Sequence, residues 1–417
     1  MKKSRGRTGR KRRRKHLQDF RVGVNCSHKL EYIKLKKWLK DRGFEDSNLR
    51  PAEFLGNALN YLLMAGDLII SLPEKCLLTT GTVLSSCLGG HLVKWKPPVS
   101  PLLALCTFLI AEKHAGEKSP WKPYLDVLPR TYTCPACLEH DVINLLPKPL
   151  KKKAQEQKMM IQELFRSSKA FFSSLQPLFA ENTGTIFNYS ALEWAWCTIN
   201  TRTIYMKHPH RECFSLEPDV YALAPYLDLL NHSPNVQVKA AFNEQTRSYE
   251  IRTNSQCKKY QEVFICYGPH DNQRLLLEYG FVATDNPHSS VYVSAGWIYG
   301  FPGEGQCNRT TFGIQLGSAA NNSVVFKPLG SSACWRRILL GDVTSARNEE
   351  QALDTAAKIC QFLIEETQHV LLQISQLKRD KENLKTHLDL VEMLRSEDLK
   401  ILQKSAEILC NLDLATA

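Results

Sequence analysis

Between positions 236 and 253 the apolar residues recur at every second place. Val236, Val238, Ala240 and Phe242 alternate with polar neighbours, Asn243-Glu-Gln-Thr246 supplies turn residues, and Tyr249, Ile251 and Thr253 alternate on the way back. A period of two sends successive side chains to opposite faces, so the segment predicts a β-hairpin. Short runs bounded by turn residues predict further strands at Asp67 to Pro73, Cys76 to Thr80 and Glu262 to Gly268. Elsewhere the period lengthens. Leu30, Tyr32, Ile33, Leu35, Trp38 and Leu39 follow a helical repeat among many lysines over 27–45, and residues 99–127 turn helical before Trp121-Lys-Pro-Tyr124-Leu125-Asp-Val-Leu-Pro129. Over 148–198, Ile161, Leu164, Phe165, Phe171, Phe172, Leu175, Leu178 and Phe179 form an apolar stripe that predicts a helical insert, and Gln273 to Glu278 reads as a helical turn. Residues 295–333 are rich in Gly, Ser and Asn without periodicity, which predicts a long irregular connection. No Gly or Pro occurs from Asp342 onward, where Val370, Ile374, Leu377, Leu384, Leu388, Val391 and Leu394 recur at three- and four-residue steps. That pattern predicts long packed helices.

Composition changes this picture little. A chain of 417 residues that is 43% hydrophobic can bury one large or two medium cores. The formal charge of +12 is concentrated at one end: residues 1–16 carry ten Lys or Arg (Lys2, Lys3, Arg5, Arg7, Arg10 to Lys15) and no acid, leaving about +2 for the rest. Like charges at that density repel one another, so a disordered basic tail over 1–20 is expected. It suits nuclear import, and any nucleic-acid contact is expected to be confined to it. The longest apolar run, Pro101 to Ala111, is far shorter than the roughly 20 residues that span a bilayer, and reads as a buried helix. No secretory signal core follows the basic start, so the expected location is nucleus and cytoplasm, with no membrane association. The 14 cysteines are then reduced thiols, among them core residues such as Cys106, Cys197, Cys266 and Cys360. Cys134-Pro-Ala-Cys137 is half of a zinc site at best, because no second ligand pair lies nearby, so no metal is expected.

Common catalytic signatures are missing. The chain has no GxxxxGK[ST] phosphate loop, no GxGxxG after a strand and no HExxH. What stands out is an ordered series: Asn200-Thr201-Arg202, then Asp228-Leu-Leu-Asn231-His232-Ser233, then Phe264-Ile-Cys-Tyr267-Gly268, then Asn272 and Leu277-Glu-Tyr279-Gly280-Phe281. Each element alone is ambiguous, since an Asn-His pair also caps strand ends. In this order and separation, together with the upstream WKPYLDVLP and the helical insert, they resemble the split-SET protein lysine methyltransferases, the class that includes the Rubisco large-subunit methyltransferase.

The resemblance covers about residues 45–290 and, more loosely, the helical C-terminus. It implies an α+β fold: small curled β-sheets with a pseudoknot in which the Asn231-His232 segment lies beside the Phe264 to Gly268 strand, a helical insert over about 148–220, and an all-α region over 336–417 that binds substrate or partner. The Gly-, Ser- and Asn-rich 295–333, where the family would be helical, departs from it, and an irregular linker over 291–335 is expected instead. It implies S-adenosylmethionine as cofactor, contacted by Asn231, His232, Arg202, Tyr267 and Gly56, with Tyr267 as the catalytic tyrosine and Tyr249, Tyr279 and Phe281 as walls of the acceptor channel. The acceptor is expected to be a protein, either a histone tail or a non-histone protein.

These residue types suit the chemistry. Displacement at a sulfonium methyl asks mainly for alignment in a narrow channel, which aromatic walls provide, and their faces favour cations. A lysine amine attacks only when neutral, so a desolvated channel that lowers its ordinary pKa of about 10.4 helps. A phenol titrates at about 10, so Tyr267 is read as a positioning hydroxyl rather than a strong base. One departure from the family stands at Phe54 to Met64: a Gly-rich turn is expected there, and only Gly56 remains. Side chains at Ala58 and Asn60 are expected to crowd a backbone that needs close approach or positive φ, and one strand is expected to be lost. Two other readings follow: a protein-histidine methyltransferase of the same fold, and a catalytically impaired SET-like module that docks proteins.

Overall fold

In the computed structural model, residues 24–47, 49–54, 56–60, 67–255, 261–294, 323–326 and 346–416 are described. The chain divides into two units, residues 1–132 with 160–268 and residues 133–159 with 269–417. The expected basic tail and most of the segment 295–345 lie outside the described residues.

The first unit begins with strand β1 (Val24–Asn25) and helix α1 (Leu30–Lys40), whose Leu35, Trp38 and Leu39 are buried. Trp38 packs 5.1 Å from the Trp121 ring and donates its indole N–H to the Pro120 carbonyl at 2.6 Å. Strands β2 (Arg50–Phe54) and β3 (Gly56–Asn60) then form a hairpin, with Phe54 opposite Gly56 and Arg50 opposite Asn60. A strand therefore stands at the altered segment, while Leu55 and residues 61–66 beside it lie outside the described residues. Ala58 and Asn60 occupy regular strand positions, and β3 is paired along its other edge at Asn60 and Leu59 with Glu262 and Val263. Strand β4 (Leu68–Pro73) follows as expected, whereas the run from Cys76 to Thr80 makes a single bridge, Leu78 to Leu223, before a short helix starts at Thr80. Burial of Leu77 and Leu78 needs no extended strand there.

Helix α2 (Pro101–Ala115) is apolar almost all round and buried from Leu103 to Ala111. Ser100 caps it by accepting the Leu103 N–H, and Pro101 occupies the first helical position, where a missing N–H is harmless. Helix α3 (Lys148–Ser174) runs from the second unit into the first. Helix α4 (Tyr189–Arg202), capped by Asn188, packs on α2 and leads into β5 (Thr203–Tyr205), which pairs with β6 (Tyr221–Leu223). The expected insert over 148–220 is therefore helical only as far as Arg202.

Strand β7 is the pair Asn231–His232. The predicted hairpin forms from β8 (Val238–Asn243) and β9 (Ser248–Thr253), and β4 adds to it in the order β4-β9-β8. Strand β10 (Glu262–Ile265) completes a five-stranded sheet ordered β1-β2-β3-β10-β7. Within that sheet the pairing of β10 with β7 is parallel.

In the second unit, helix α5 (Asn272–Tyr279) ends at Gly280, which has φ of 77° and closes the helix in the left-handed conformation. A Cβ there would lie 2.8 Å from Thr133 Oγ1 and 3.1 Å from the Cys134 nitrogen, so glycine is required twice over. Strands β11 (Val291–Ser294) and β12 (Ser323–Phe326) pair antiparallel inside the stretch expected to be irregular. Helices α6 (Ala346–Asp380) and α7 (Lys385–Thr416) are the expected long C-terminal helices. Ile374, Leu384, Leu388, Val391 and Leu394 from them share a core with Val142, Leu146, Leu150 and Leu276.

Candidate active site

Two chain segments meet where β7 lies along β10. Asn231 stands beside Phe264 and His232 beside Ile265 in parallel register, and the Ser233 N–H donates to the Ile265 carbonyl at 2.9 Å. Side chains reinforce the pairing. The amide of Asn231 donates to Glu262 Oε1 at 2.7 Å, and burial pushes the Glu262 carboxyl above its ordinary range despite that hydrogen bond. The Tyr267 backbone N–H donates to His232 Nδ1 at 3.0 Å, and the two rings lie 5.1 Å apart. With Nδ1 accepting, the proton of the neutral imidazole resides on Nε2. The Tyr267 hydroxyl donates to the Leu230 carbonyl at 2.6 Å, so its oxygen meets anything else beside it as an acceptor.

The chain reaches this junction through a constrained turn. Tyr226 is fully buried with φ of 75°, and its hydroxyl donates to the Leu49 carbonyl at 2.9 Å. A 3-10 turn from Leu227 to Leu229 follows and carries Asp228, whose side chain is 2% exposed. Asp228 Oδ2 accepts the Tyr124 hydroxyl at 2.8 Å and lies 3.4 Å from Arg202 Nη1, which also donates to the Asp228 carbonyl at 3.1 Å. Burial raises the Asp228 carboxyl above the usual carboxylate range, outweighing the pull of Arg202 and Tyr124. Burial acts most strongly on Arg202 and lowers it, and Asp228 together with the phenols of Tyr132, Tyr124 and Tyr267 more than offsets it. Tyr132 stands at the edge of this group, its hydroxyl 2.9 Å from Thr198 Oγ1 and its phenol pushed up to about 12 by burial. Arg202 Nε and Asp228 Oδ1 are buried with no hydrogen-bond partner among the described residues.

The structure thus brings Asn231, His232 and Tyr267 into one hydrogen-bonded junction and puts Arg202 behind it, engaged by Asp228. Gly56 opens β3, the strand on the other side of β10 from β7; continuing the observed register would bring it level with Cys266. Tyr249 is buried in β9, opposite Leu72 and Phe242, and so belongs to the three-stranded sheet instead of the one that carries Tyr267. Tyr279 and Phe281 belong to the second unit, their rings 6.3 Å apart, with His270 stacked 6.0 Å from Tyr279. Cys134 is buried at the start of a 3-10 turn that ends at Cys137, and among the described residues no group of three or more His, Cys, Asp or Glu is arranged to hold a metal.

Sequence reasoning missed Asp228, Tyr124, Tyr226 and Glu262. A signal existed for the first: an acid inside the apolar run Tyr226 to Leu230 must be paired if that run is buried.

Residues 62–268 match the model of the SET domain. Over 439 aligned positions covering 100% of both chains, the sequence is 56% identical to the human (Homo sapiens) SET domain-containing protein 4. It is 30% identical to the ribosomal lysine N-methyltransferase set11 of Schizosaccharomyces pombe, over 44% of each chain. The fold is similar to that of the SET domain of LSMT solved with lysine and AdoHcy, at a TM-score of 0.57 and 17% identity over 94% of this chain and 93% of that one. Matched along its whole length by SET domain-containing protein 4, the chain belongs to the SET-domain family.

Proposed function

We propose that the protein transfers a methyl group from S-adenosylmethionine to the side-chain amine of a lysine in a protein substrate. The observation that carries this reading is the parallel pairing of β7 with β10, which ties the Tyr267 hydroxyl to the Leu230 carbonyl beside Asn231 and His232. The residues present suit a zwitterionic amino-acid cofactor. Asn231 offers an amide, and Arg202 keeps a buried Nε–H with no partner among the described residues, a donor suited to a carboxylate. Asn231, His232 and Arg202 would hold the cofactor, with Gly56 at the neighbouring hairpin. When bound, S-adenosylmethionine supplies an electrophilic sulfonium methyl.

The protein's own contribution is alignment and dielectric. Tyr267, its hydroxyl hydrogen engaged by the Leu230 carbonyl, turns a lone-pair dipole toward whatever cation lies next to it, which steadies positive charge without accepting a proton. Burial around the junction disfavours a charged acceptor amine and promotes its neutral, nucleophilic form. Acceptor proteins of the nucleus or cytoplasm, histone tails among them, are in keeping with the basic segment from Lys2 to Lys15.

The test is labelled-methyl transfer from S-adenosylmethionine into a cell extract, with the modified amino acid identified after hydrolysis. The wild type should yield methyl-lysine, and Tyr267→Phe should lower the rate by about 10- to 1000-fold while still binding the cofactor. Label appearing on histidine, or transfer undiminished in Tyr267→Phe, would contradict the reading.

A further inference from the structure

We propose that Asp228 and Tyr124 are positioning residues that set the Tyr267 hydroxyl through the Leu230 carbonyl. The inference rests on Tyr267 being the hydroxyl that faces the reacting atoms, as in the function proposed above. Its structural half stands apart from that reading and can be measured separately.

The Tyr267 hydroxyl donates to the Leu230 carbonyl, which belongs to the end of the 227–229 turn. Within the turn, the Asp228 N–H donates to the Ala224 carbonyl at 3.0 Å and the Leu230 N–H to the Leu227 carbonyl at 3.1 Å, so Asp228 sits inside the hydrogen-bonded turn that ends at Leu230. The turn itself is pinned from outside. Tyr124 holds the Asp228 carboxylate, Arg202 holds its main-chain oxygen, and the Tyr226 hydroxyl fixes the entry at Leu49. Only the Asp228 contacts lie on the Leu230 side of the left-handed residue Tyr226.

This group is poorly designed for stability alone. A charge-assisted N–H···O bond is ordinarily about 2.7–2.9 Å long, yet Arg202 Nη1 and Asp228 Oδ2 stand 3.4 Å apart. Both partners keep a buried polar atom without a hydrogen bond among the described residues, and incompletely satisfied buried ion pairs contribute little net stability. A better use of the arrangement is geometric. The Tyr124 ring is 0% exposed, so its hydroxyl has a fixed place, and Asp228 is registered against it. Displacing a reacting group by about 1 Å can cost about a hundredfold in rate, so a clamp at this point matters to the reaction even when it adds nothing to folding.

Tyr124→Phe removes one hydroxyl and leaves the buried ring in place, so the variant should fold. The direct readout is the NMR signal of Cζ in tyrosine-labelled protein, with the Tyr267 resonance assigned by its disappearance in Tyr267→Phe. In Tyr124→Phe, and in Asp228→Asn as a second variant, the Tyr267 signal should shift or split. The initial rate of methyl transfer to a fixed amount of cell extract should fall about tenfold while the Kd for S-adenosylmethionine changes less than about threefold. An unmoved Tyr267 signal in both folded variants overturns the proposal, even if the wild type transfers methyl groups. A shifted signal in a protein that transfers nothing in any form supports the clamp and removes the proposed activity.

Discussion

Tyr226 shows how much of the site rests on single residues. It holds φ of 75°, a region that glycine and asparagine enter readily and a bulky aromatic rarely does, yet it is fully buried and hydrogen-bonded to Leu49. Packing overrides the local preference: the Phe44 ring meets it edge-on at 5.9 Å. Tyr226→Phe keeps the ring and the backbone conformation but removes one of the donors to the Leu49 carbonyl, which keeps Lys36 Nζ at 3.2 Å and Arg50 Nη1 at 2.9 Å. Urea denaturation should show a loss of about 0.5–1.5 kcal/mol, the net value of one hydrogen bond; an unchanged midpoint would mean that the hydroxyl does not anchor the turn. Nothing in the sequence marks Tyr226 as left-handed. The meeting of Asn231, His232 and Tyr267 was legible because they form short ordered motifs, whereas the partners of Asp228 lie 26 and 104 positions away and become visible only once the chain is folded.

At the scale of elements, legibility followed periodicity. The β8–β9 hairpin and the two C-terminal helices have long regular patterns and formed where those patterns lie. The run from Cys76 to Thr80 is too short for its period to separate a strand from a buried turn, and it became a 3-10 turn and a helix start. The segment from Gly56 to Asn60 lacks the glycines of the expected turn and forms an extended strand paired with β2 and, at Leu59 and Asn60, with β10.

Helix α7 carries a consequence of its own. Asp398 is 4% exposed, and burial pushes its carboxyl up to about 7, with Arg395 acting to lower it and Asp271 and Glu397 to raise it further. Glu366 on α6, together with Lys148 and Tyr292, lines the same small cavity of about 50 Å³. An acid whose folded pKa exceeds its unfolded one binds its proton more tightly when folded, so its ionisation destabilises the fold. Stability therefore falls as pH rises from the ordinary value of 3.8 to about 7, then levels off. Asp398→Asn should match the wild type in stability near pH 4 and exceed it at pH 8 by on the order of 4 kcal/mol, seen as a higher Tm there. Equal Tm values at pH 8 would show that the carboxyl is not held up by burial.

At the scale of the whole molecule, the charge of +12 said little about function because ten of the basic residues crowd into the first 16 positions. The expected SET region ran to 290, while the unit that carries the paired strands closes at Gly268 and the family model also ends there. A boundary of this kind depends on which residues pack together, and the motif series up to Phe281 continues past it without a break. The central claim is that the β7–β10 junction of this chain is a binding site for S-adenosylmethionine. Calorimetric titration of S-adenosylmethionine into the full chain tests it most directly. Saturable binding at one site per chain, weakened at least about tenfold in Asn231→Ala, is the predicted result; an absence of binding heat in the wild type, or undiminished affinity in Asn231→Ala, would contradict it.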